Sequence, residues 1–489
     1  MPIPILKDLK VNIVDSVKQW TLNYTDLEQN SNKTYSLEIV KCSDGKLYLY
    51  SQWGRTGGNL TKEFRAVNDL SHAENEGEKI VKSKVKKGYQ EIKLVKAEIG
   101  SDAGKSKVSA SVLTEDAAKK LGFTVKEDVQ SILHPAVQSV VKNWFGSIEQ
   151  FIVDTLDTSK CALGQLSLDQ INKGRDYLLE ARKIVAAGAK DIKELNSLSS
   201  KYYSNIPMNF GYRRLDIDQL RFDTNNKLDA QFDILDTLEG AKDVEKVLTK
   251  KNAIDEQYKS LKTEMEWLDP NDPMYKWIDT LFHKTRASNH SGLGKLKVSN
   301  VFKLVRDKES DVFLQTASKI AKSNARLIVP DNYKDHWEKR PKENKEYEEL
   351  MAAANILPLW HGSATPNFGK ILSSQLKMRK PGFTVSGSMF DLRGGLYFAN
   401  SASKSCGYSS IANSAWSGGK DKKAYLFLSD VCLGKSEIAH QSYQYTLEKI
   451  KPNMSVWAKA GKQLFNDEYI VFAENQNWLK FVIEFESVK

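Results

Sequence analysis

Between Val137 and Ile152 the apolar side chains fall at the rhythm of an α-helix. Val137, Val140, Val141, Trp144, Phe145, Ile148, Phe151 and Ile152 share one face, because 3.6 residues per turn bring i, i+3, i+4 and i+7 together. Pro135 stands just before them, where a first helical turn tolerates a missing N–H. Similar spacing recurs at Leu178, Leu179, Ala181, Ile184 and Val185, and a third run begins with Phe232, Ile234, Leu235 and Leu238. Residues 128–282 are therefore expected to form an all-α bundle. Such stripes must be buried, so they define a helical block in the middle of the chain.

The flanks carry a different pattern. Residues 35–40 and 46–50 alternate or run apolar between turn residues such as Ser43-Asp44-Gly45, which predicts a small β-rich domain over 1–98. Residues 99–127 are small and polar and read as a linker. Beyond 283, the stretches 295–306, 424–428, 469–472 and 481–485 read as strands separated by Gly and Ser. They do not alternate with helices as in βαβ units, so a mostly antiparallel α+β domain is expected over 283–489. The predicted class is multidomain α+β, and 489 residues suit three domains at roughly 100–200 residues each.

Several chemistries are excluded. Cys42, Cys161, Cys406 and Cys432 are scattered without a CxxC pair, so neither a zinc finger nor a disulfide framework is expected. No GxGxxG follows a strand, Gly434-Lys435-Ser436 lacks the upstream glycine of a phosphate loop, and HExxH and GxSxG are absent. No apolar run approaches the ~20 residues of a membrane span. The N-terminal MPIPILKDLKVNIVD has no basic region leading into an apolar block, so no secretory leader is expected. The net charge of +10 suits polyanions. Residues 79–96, KIVKSKVKKGYQEIKLVK, hold seven lysines and one acid. A helix there would carry a basic stripe, either a solvated face or a nucleic-acid contact.

Four blocks in the last domain occur in a telling order: Leu359-Trp360-His361-Gly362-Ser363, Gly395-Leu396-Tyr397-Phe398-Ala399, Ser403-Lys404-Ser405-Cys406-Gly407-Tyr408 and Asn466-Asp467-Glu468-Tyr469-Ile470-Val471. Together they resemble the signature of the poly(ADP-ribose) polymerases, with His, Tyr and Glu on three separate elements. Gln52-Trp53-Gly54-Arg55-Thr56-Gly57 is similar to the core of the WGR domain. Leu163-Gly-Gln-Leu-Ser, the run from Tyr202 to Gly211, and Tyr258-Lys-Ser-Leu-Lys-Thr-Glu resemble the helical regulatory domain. The likeness is to the short, DNA-dependent members that lack zinc fingers.

The resemblance implies an enzyme that cleaves NAD⁺ as substrate, releases nicotinamide and transfers ADP-ribose, with no tightly bound cofactor and no metal. Glu468, His361 and Tyr397 would be its catalytic set. Tyr397 and Tyr408 would sandwich the nicotinamide, while Gly362 and Ser405 hold its carboxamide. Ser363, Asn367, Lys377 and Ala399 would line the rest of the NAD⁺ site, and Lys404 would sit near Glu468. The residue types suit the reaction. Breaking the nicotinamide–ribose bond builds positive charge on the sugar, which a carboxylate stabilises. Aromatic faces suit a flat pyridinium cation. Each residue alone has a plainer reading: a turn histidine, a core tyrosine, a strand-edge glutamate.

On the same resemblance, Trp53 and Arg55 would contact DNA ends or nicks, preferably 5′-phosphorylated. Phosphate contacts from Lys82, Lys84, Lys86 and Lys87 follow from charge density. Implied partners are DNA and acceptor proteins, the protein itself included, with no membrane. The implied site of action is the nucleus, or the cytoplasm and nucleoid in a prokaryote. Three features depart from the pattern. His361 and Tyr397 lie two residues further apart than usual. The segment 307–357 is long, with a charge-mixed run from Asp335 to Glu349 that reads as an exposed helix or loop. The stretch from Val456 to Glu468 is short, which leaves single-unit transfer open beside chain elongation. An inactive DNA-end sensor is a third reading, opposed by the presence of His361, Tyr397 and Glu468 together.

Overall fold

The computed structural model describes residues 5–6, 11–55, 59–92, 107–109, 124–126, 131–155, 166–188, 191–208, 210, 214–248, 253–323, 325–378, 395–441, 454–462 and 464–488. The chain divides into two compact units, one of residues 1–130 and 145–256, the other of 131–144 and 257–489. Most of the expected linker lies outside the described residues, as do Cys161, residues 163–165 and Thr56-Gly57; within the linker, Lys107–Ser109 and Thr124–Lys126 pair in parallel.

The first unit opens with a six-stranded antiparallel sheet in the order Ile5–Leu6, Thr61–Ala66, Leu47–Arg55, Ser31–Cys42, Ile13–Asp26, Gln90–Ile92. A helix, Leu70–Lys86, covers one face, with Asp69 capping it through the His72 N–H at 2.7 Å. Trp20, Leu22, Leu37, Ile39, Leu49, Ala73 and Val81 form the core between them. The lysine run 79–96 is therefore not one helix. Its first half ends that helix; Gly88, at φ +89°, reverses the chain; and Gln90–Ile92 returns as an edge strand.

Three long helices follow: Leu168–Ala186, Ile192–Asn205 and Asn225–Leu248. Ser167 and Asp191 cap the first two. Leu178, Ala181, Leu195, Tyr202, Phe232 and Leu235 fill their core. Helix Ile192–Asn205 lies along strand Ile13–Asp26. Ser204 Oγ accepts from Thr25 N (2.8 Å) and donates to Thr25 O (3.1 Å), and Asn23 Nδ2 donates to Tyr203 O (3.0 Å). These bonds are buried, so β module and helices pack as one body.

The second unit is built on two sheets. Five antiparallel strands run in the order Ile356–Gly362, Lys423–Cys432, Asn477–Val488, Lys295–Val305, Glu264–Trp267. Four more run Leu396–Phe398, Glu468–Val471, Ser455–Ala458, Ser436–Ala439, with only the last pair parallel. Glu264–Trp267 and the helix Pro273–Lys284 fold with this unit, so residues 257–282 are not part of a separate bundle here. The start of the helix Pro135–Thr155 also belongs to it: Trp144 is fully buried, stacked on Phe368 and edge-on to Tyr425. Residues 335–349 are mostly exposed, as expected, with a few buried anchors. Trp337 and Arg340 are buried, Arg340 pairs with Glu348, and Tyr347 donates to Asp430 at 2.5 Å. Among the described residues no helix is long and apolar enough to cross a membrane.

Candidate functional site

His361 stands at the end of the edge strand Ile356–Gly362. Next to it, Trp360 and Ala399 exchange two backbone hydrogen bonds (2.8 and 2.9 Å), which join the five-stranded sheet to the four-stranded one. That bridge sets His361 against Tyr397, and its Nδ1 lies 2.9 Å from the Tyr397 carbonyl. A carbonyl only accepts, so Nδ1 carries the proton and Nε2 is left as an acceptor in the neutral ring. Burial holds the His361 pKa below the ordinary 6.5, against the opposing pull of the Tyr397 carbonyl.

Strand register supplies the third residue. Tyr397 pairs with Ile470, and Glu468 lies two positions before Ile470. Side chains alternate with a period of two, so Glu468 and Tyr397 share one face. Glu468 is buried; its Oε1 lies 2.8 Å from Lys404 Nζ, which also donates to Asn466 O at 3.0 Å. Its Oε2 is buried with no hydrogen-bond partner among the described residues. A buried carboxylate oxygen left this way is costly until a donor arrives.

Lys404 and Ser405 come from a short helix, Ala402–Cys406, capped by Ser401. This helix presses so closely on Gly362 that a Cβ there would lie 1.9 Å from the Ser405 carbonyl oxygen. Only glycine fits, and the two backbones meet as one wall. Ser363 and Asn367 adjoin it, bonded to each other at 3.2 Å. Tyr408 follows the helix and stacks on Trp416, with ring centroids 4.7 Å apart. Lys377 is held elsewhere: it is exposed and its ammonium pairs with Glu474 at 2.9 Å. Among the described residues no three His, Cys, Asp or Glu side chains group as metal ligands.

One neighbour was not singled out from sequence. His290 Nδ1 lies 2.9 Å from Ser403 Oγ, and its Nε2 lies 3.4 Å from the Asn466 amide. Burial first, then the Lys404 and Arg286 charges, hold its pKa low. A lone histidine between a helix and a strand carries no spacing signal. Two histidines that resist protonation when folded make stability depend on pH. The unfolded chain gains these protons near the ordinary value of 6.5, and the folded one only at lower pH. Stability is therefore fully present above that value and falls as pH drops below it. The thermal midpoint should fall between pH 7 and 5.5, less steeply in a His361→Gln/His290→Gln double variant. Equal slopes would remove these residues as the cause.

The first unit holds a separate open groove of about 470 Å³, lined by Tyr35, Trp53, Arg65, Lys79, Ile80, Ser83 and Lys84, with Glu63 as its acid. Trp53 is stacked on Tyr35, and Lys84 Nζ lies 4.0 Å from the Tyr35 ring centroid. Burial, with Lys87 and Arg65 nearby, lowers the Lys84 pKa. Lys82, Lys86 and Lys87 are exposed and do not line the groove, whereas Arg65 and Lys79 do. Arg55 Nη1 donates to Asn30 O at 3.1 Å, and Asn30 Oδ1 accepts from Leu215 N at 2.8 Å. Arg55 thus reaches the helical segment through one shared residue.

Family models match the chain in order: the WGR domain at 18–96, the poly(ADP-ribose) polymerase regulatory domain at 131–266, and the poly(ADP-ribose) polymerase catalytic domain at 273–487. Over these spans the chain is similar to the poly(ADP-ribose) polymerase family. The His361–Tyr397–Glu468 cluster falls within the span of the family's catalytic domain. Poly [ADP-ribose] polymerase 1 of Caenorhabditis elegans is 28% identical over 443 residues, covering 87% of this chain and 41% of that protein. Poly [ADP-ribose] polymerase of Sarcophaga peregrina is 26% identical over 434 residues, covering 84% and 37%. Protein mono-ADP-ribosyltransferase PARP3 of Homo sapiens is 28% identical over 435 residues, covering 85% and 71%. The chain thus spans less than half the length of the first two relatives.

Proposed function

We propose that this protein is an NAD⁺ ADP-ribosyltransferase that releases nicotinamide, modifies acceptor proteins including itself, and is switched on by DNA breaks. The observation that carries the reading is Glu468. One oxygen is fixed by Lys404, the other is buried and open to a donor, and Tyr397 shares its face of the sheet. A ribose hydroxyl would satisfy Oε2 and place the carboxylate beside the developing oxocarbenium charge. His361 Nε2 would accept from the adenosine ribose. Gly362 and Ser405 would hold the carboxamide, and Tyr397 and Tyr408 would flank the nicotinamide ring. Ser363, Asn367 and Ala399 would line the remainder; Lys377 would have to leave Glu474 to take part. Residues 1–98 would bind DNA, 128–282 would regulate, with 257–282 folded onto the transferase unit, and 283–489 would carry the transfer. Action on DNA would place the protein in the nucleus of a eukaryote.

DNA recognition would use the Trp53 groove, where aromatic faces and cations lie together. Arg55 would pass the event on through Asn30 to Leu215. DNA can shift the enzyme toward its active state only through differential affinity, and contacts that cross from module to helices are suited to supply it. NAD⁺ turnover should therefore rise when a nicked, 5′-phosphorylated duplex is added. Arg55→Ala and Trp53→Ala should lose that rise and keep the activity seen without DNA. An Arg55→Ala protein that responds normally would sink this account of control.

A second reading, single-unit transfer, is favoured by the short connection between strands Ser455–Ala458 and Glu468–Val471. It is also consistent with a relative whose name is a mono-ADP-ribosyltransferase. Product size on a gel separates the two: a ladder means elongation, a single shifted band means one unit.

A further inference from the structure

Trp416 lies in a turn-rich segment between helix Ala402–Cys406 and strand Lys423–Cys432 and is not among the residues proposed to bind NAD⁺. The segment is built tightly. Asp421 N donates to Ser410 O and Ala412 N to Asp421 O, each at 2.9 Å, and Gly419 N donates to Ser414 Oγ at 2.7 Å. Trp416 N and Ser417 N both donate to the Gly407 carbonyl, at 3.1 and 3.2 Å. The indole is thereby laid over Gly407, where a Cβ would lie 2.3 Å from two of its ring carbons. It stacks on Tyr408 at 4.7 Å with an interplanar angle of 19°, and His290 meets it edge-on at 6.0 Å. Half of its surface is exposed, so it is not core packing.

We propose that Trp416 is a positioning residue for nicotinamide: it covers one face of Tyr408 and holds that ring flat, so that the other face stacks on the ligand. This rests on the reading that Tyr408 flanks the nicotinamide. The physical case is that offset stacking of one ring on another narrows the rotamers a partly exposed tyrosine samples. Gly407 is the enabling residue: at φ −62° its backbone would accept alanine, a Cβ would sit tightly at 3.1 Å from the Lys404 carbonyl oxygen, and the indole at 2.3 Å is what forbids it.

The test is calorimetric titration of the full chain with benzamide, a flat mimic of the nicotinamide carboxamide, beside KM and kcat for NAD⁺ and a thermal midpoint. Trp416→Ala should weaken benzamide and raise the NAD⁺ KM by about 3- to 10-fold, the span of an aromatic pair, with kcat within about twofold. Gly407→Ala should reproduce this without altering Trp416, because its Cβ displaces the indole. Trp416→Phe should restore most of the affinity. Tyr408→Ala serves as the control on the pocket. If it weakens benzamide while Trp416→Ala binds as tightly as the parent or tighter, the positioning role is overturned and the pocket stands. If Tyr408→Ala leaves benzamide unchanged, the nicotinamide assignment falls, and the inference with it. A loss of thermal midpoint in Trp416→Ala with unchanged benzamide affinity identifies a purely structural residue and also overturns it.

Discussion

Replacing Glu468 with glutamine should lower NAD⁺ turnover by about 10²–10³-fold, the usual cost of one preorganised transition-state contact. The amide keeps the shape and can still accept from a ribose hydroxyl through its oxygen, so ground-state binding of NAD⁺ should change little. What is lost is the negative charge beside the sugar as it becomes cationic. The Lys404 ammonium, now 2.8 Å from a carboxylate oxygen, would face a neutral amide in a buried site. Some loss of thermal stability is expected as well. Because an effect on kcat with KM unchanged is the signature of a contact made only in the transition state, the two parameters must be measured separately. A variant that turns over NAD⁺ at the parental rate would take Glu468 out of the mechanism.

Gly362→Ala should have the other large effect, on binding. The added Cβ would be directed at the Ser405 carbonyl oxygen at 1.9 Å and at its carbonyl carbon at 2.8 Å. Both are backbone atoms of a capped helix, so no side chain can swing aside, and the wall itself must open. Overpacking of this kind costs about 1–3 kcal/mol, or roughly 2–12 °C in the thermal midpoint of a domain this size. The separation would also break the proposed carboxamide clamp. The clamp would take three hydrogen bonds, from the Gly362 N–H, to its C=O and from the Ser405 hydroxyl; at about 1 kcal/mol each their loss corresponds to an affinity loss on the order of 100-fold, read by benzamide titration. The Ser405→Ala variant, which removes one hydroxyl and no backbone contact, should lose only about fivefold, the equivalent of one such bond. A Gly362→Ala protein that binds benzamide normally would place the carboxamide elsewhere.

What could be read in advance was whatever is encoded within one element. The face running from Val137 to Ile148 is buried as its spacing required, and Pro135 begins the helix. The strands at 295–305, 423–432, 468–471 and 477–488 stand where apolar runs between turn residues put them. The lysine run at 79–96 misled because charge carries little information about backbone. The stop signal was Gly88, whose left-handed φ ends the helix and starts the return. The run from Asp335 to Glu349 is largely exposed and ends in a helix, as its mixed charge suggested, but Trp337, Arg340 and Tyr347 within it are buried. What spacing could not show is the anchoring to partners far along the chain: Lys480 bonds Glu343 and lies 3.1 Å from Asp430, and Tyr347 reaches Asp430. Paired in this way, polar groups can be buried that would otherwise stay at the surface.

The same division holds at the site. His361, Tyr397 and Glu468 could be named from ordered blocks, but their meeting could not. It depends on one bridge, Trp360 with Ala399, and on the register that sets Tyr397 opposite Ile470. A slip of one residue would turn Glu468 to the opposite face. Trp416 and His290 could not be seen at all, since nothing near them in sequence requires a partner. The sequence by itself determined the elements, their amphipathic faces and the chemical groups on offer, because spacing along a helix or strand acts locally. Tertiary structure decided strand register, the partners of buried charges and the backbone contact that makes Gly362 obligatory, because each arises where residues distant in sequence are packed into contact.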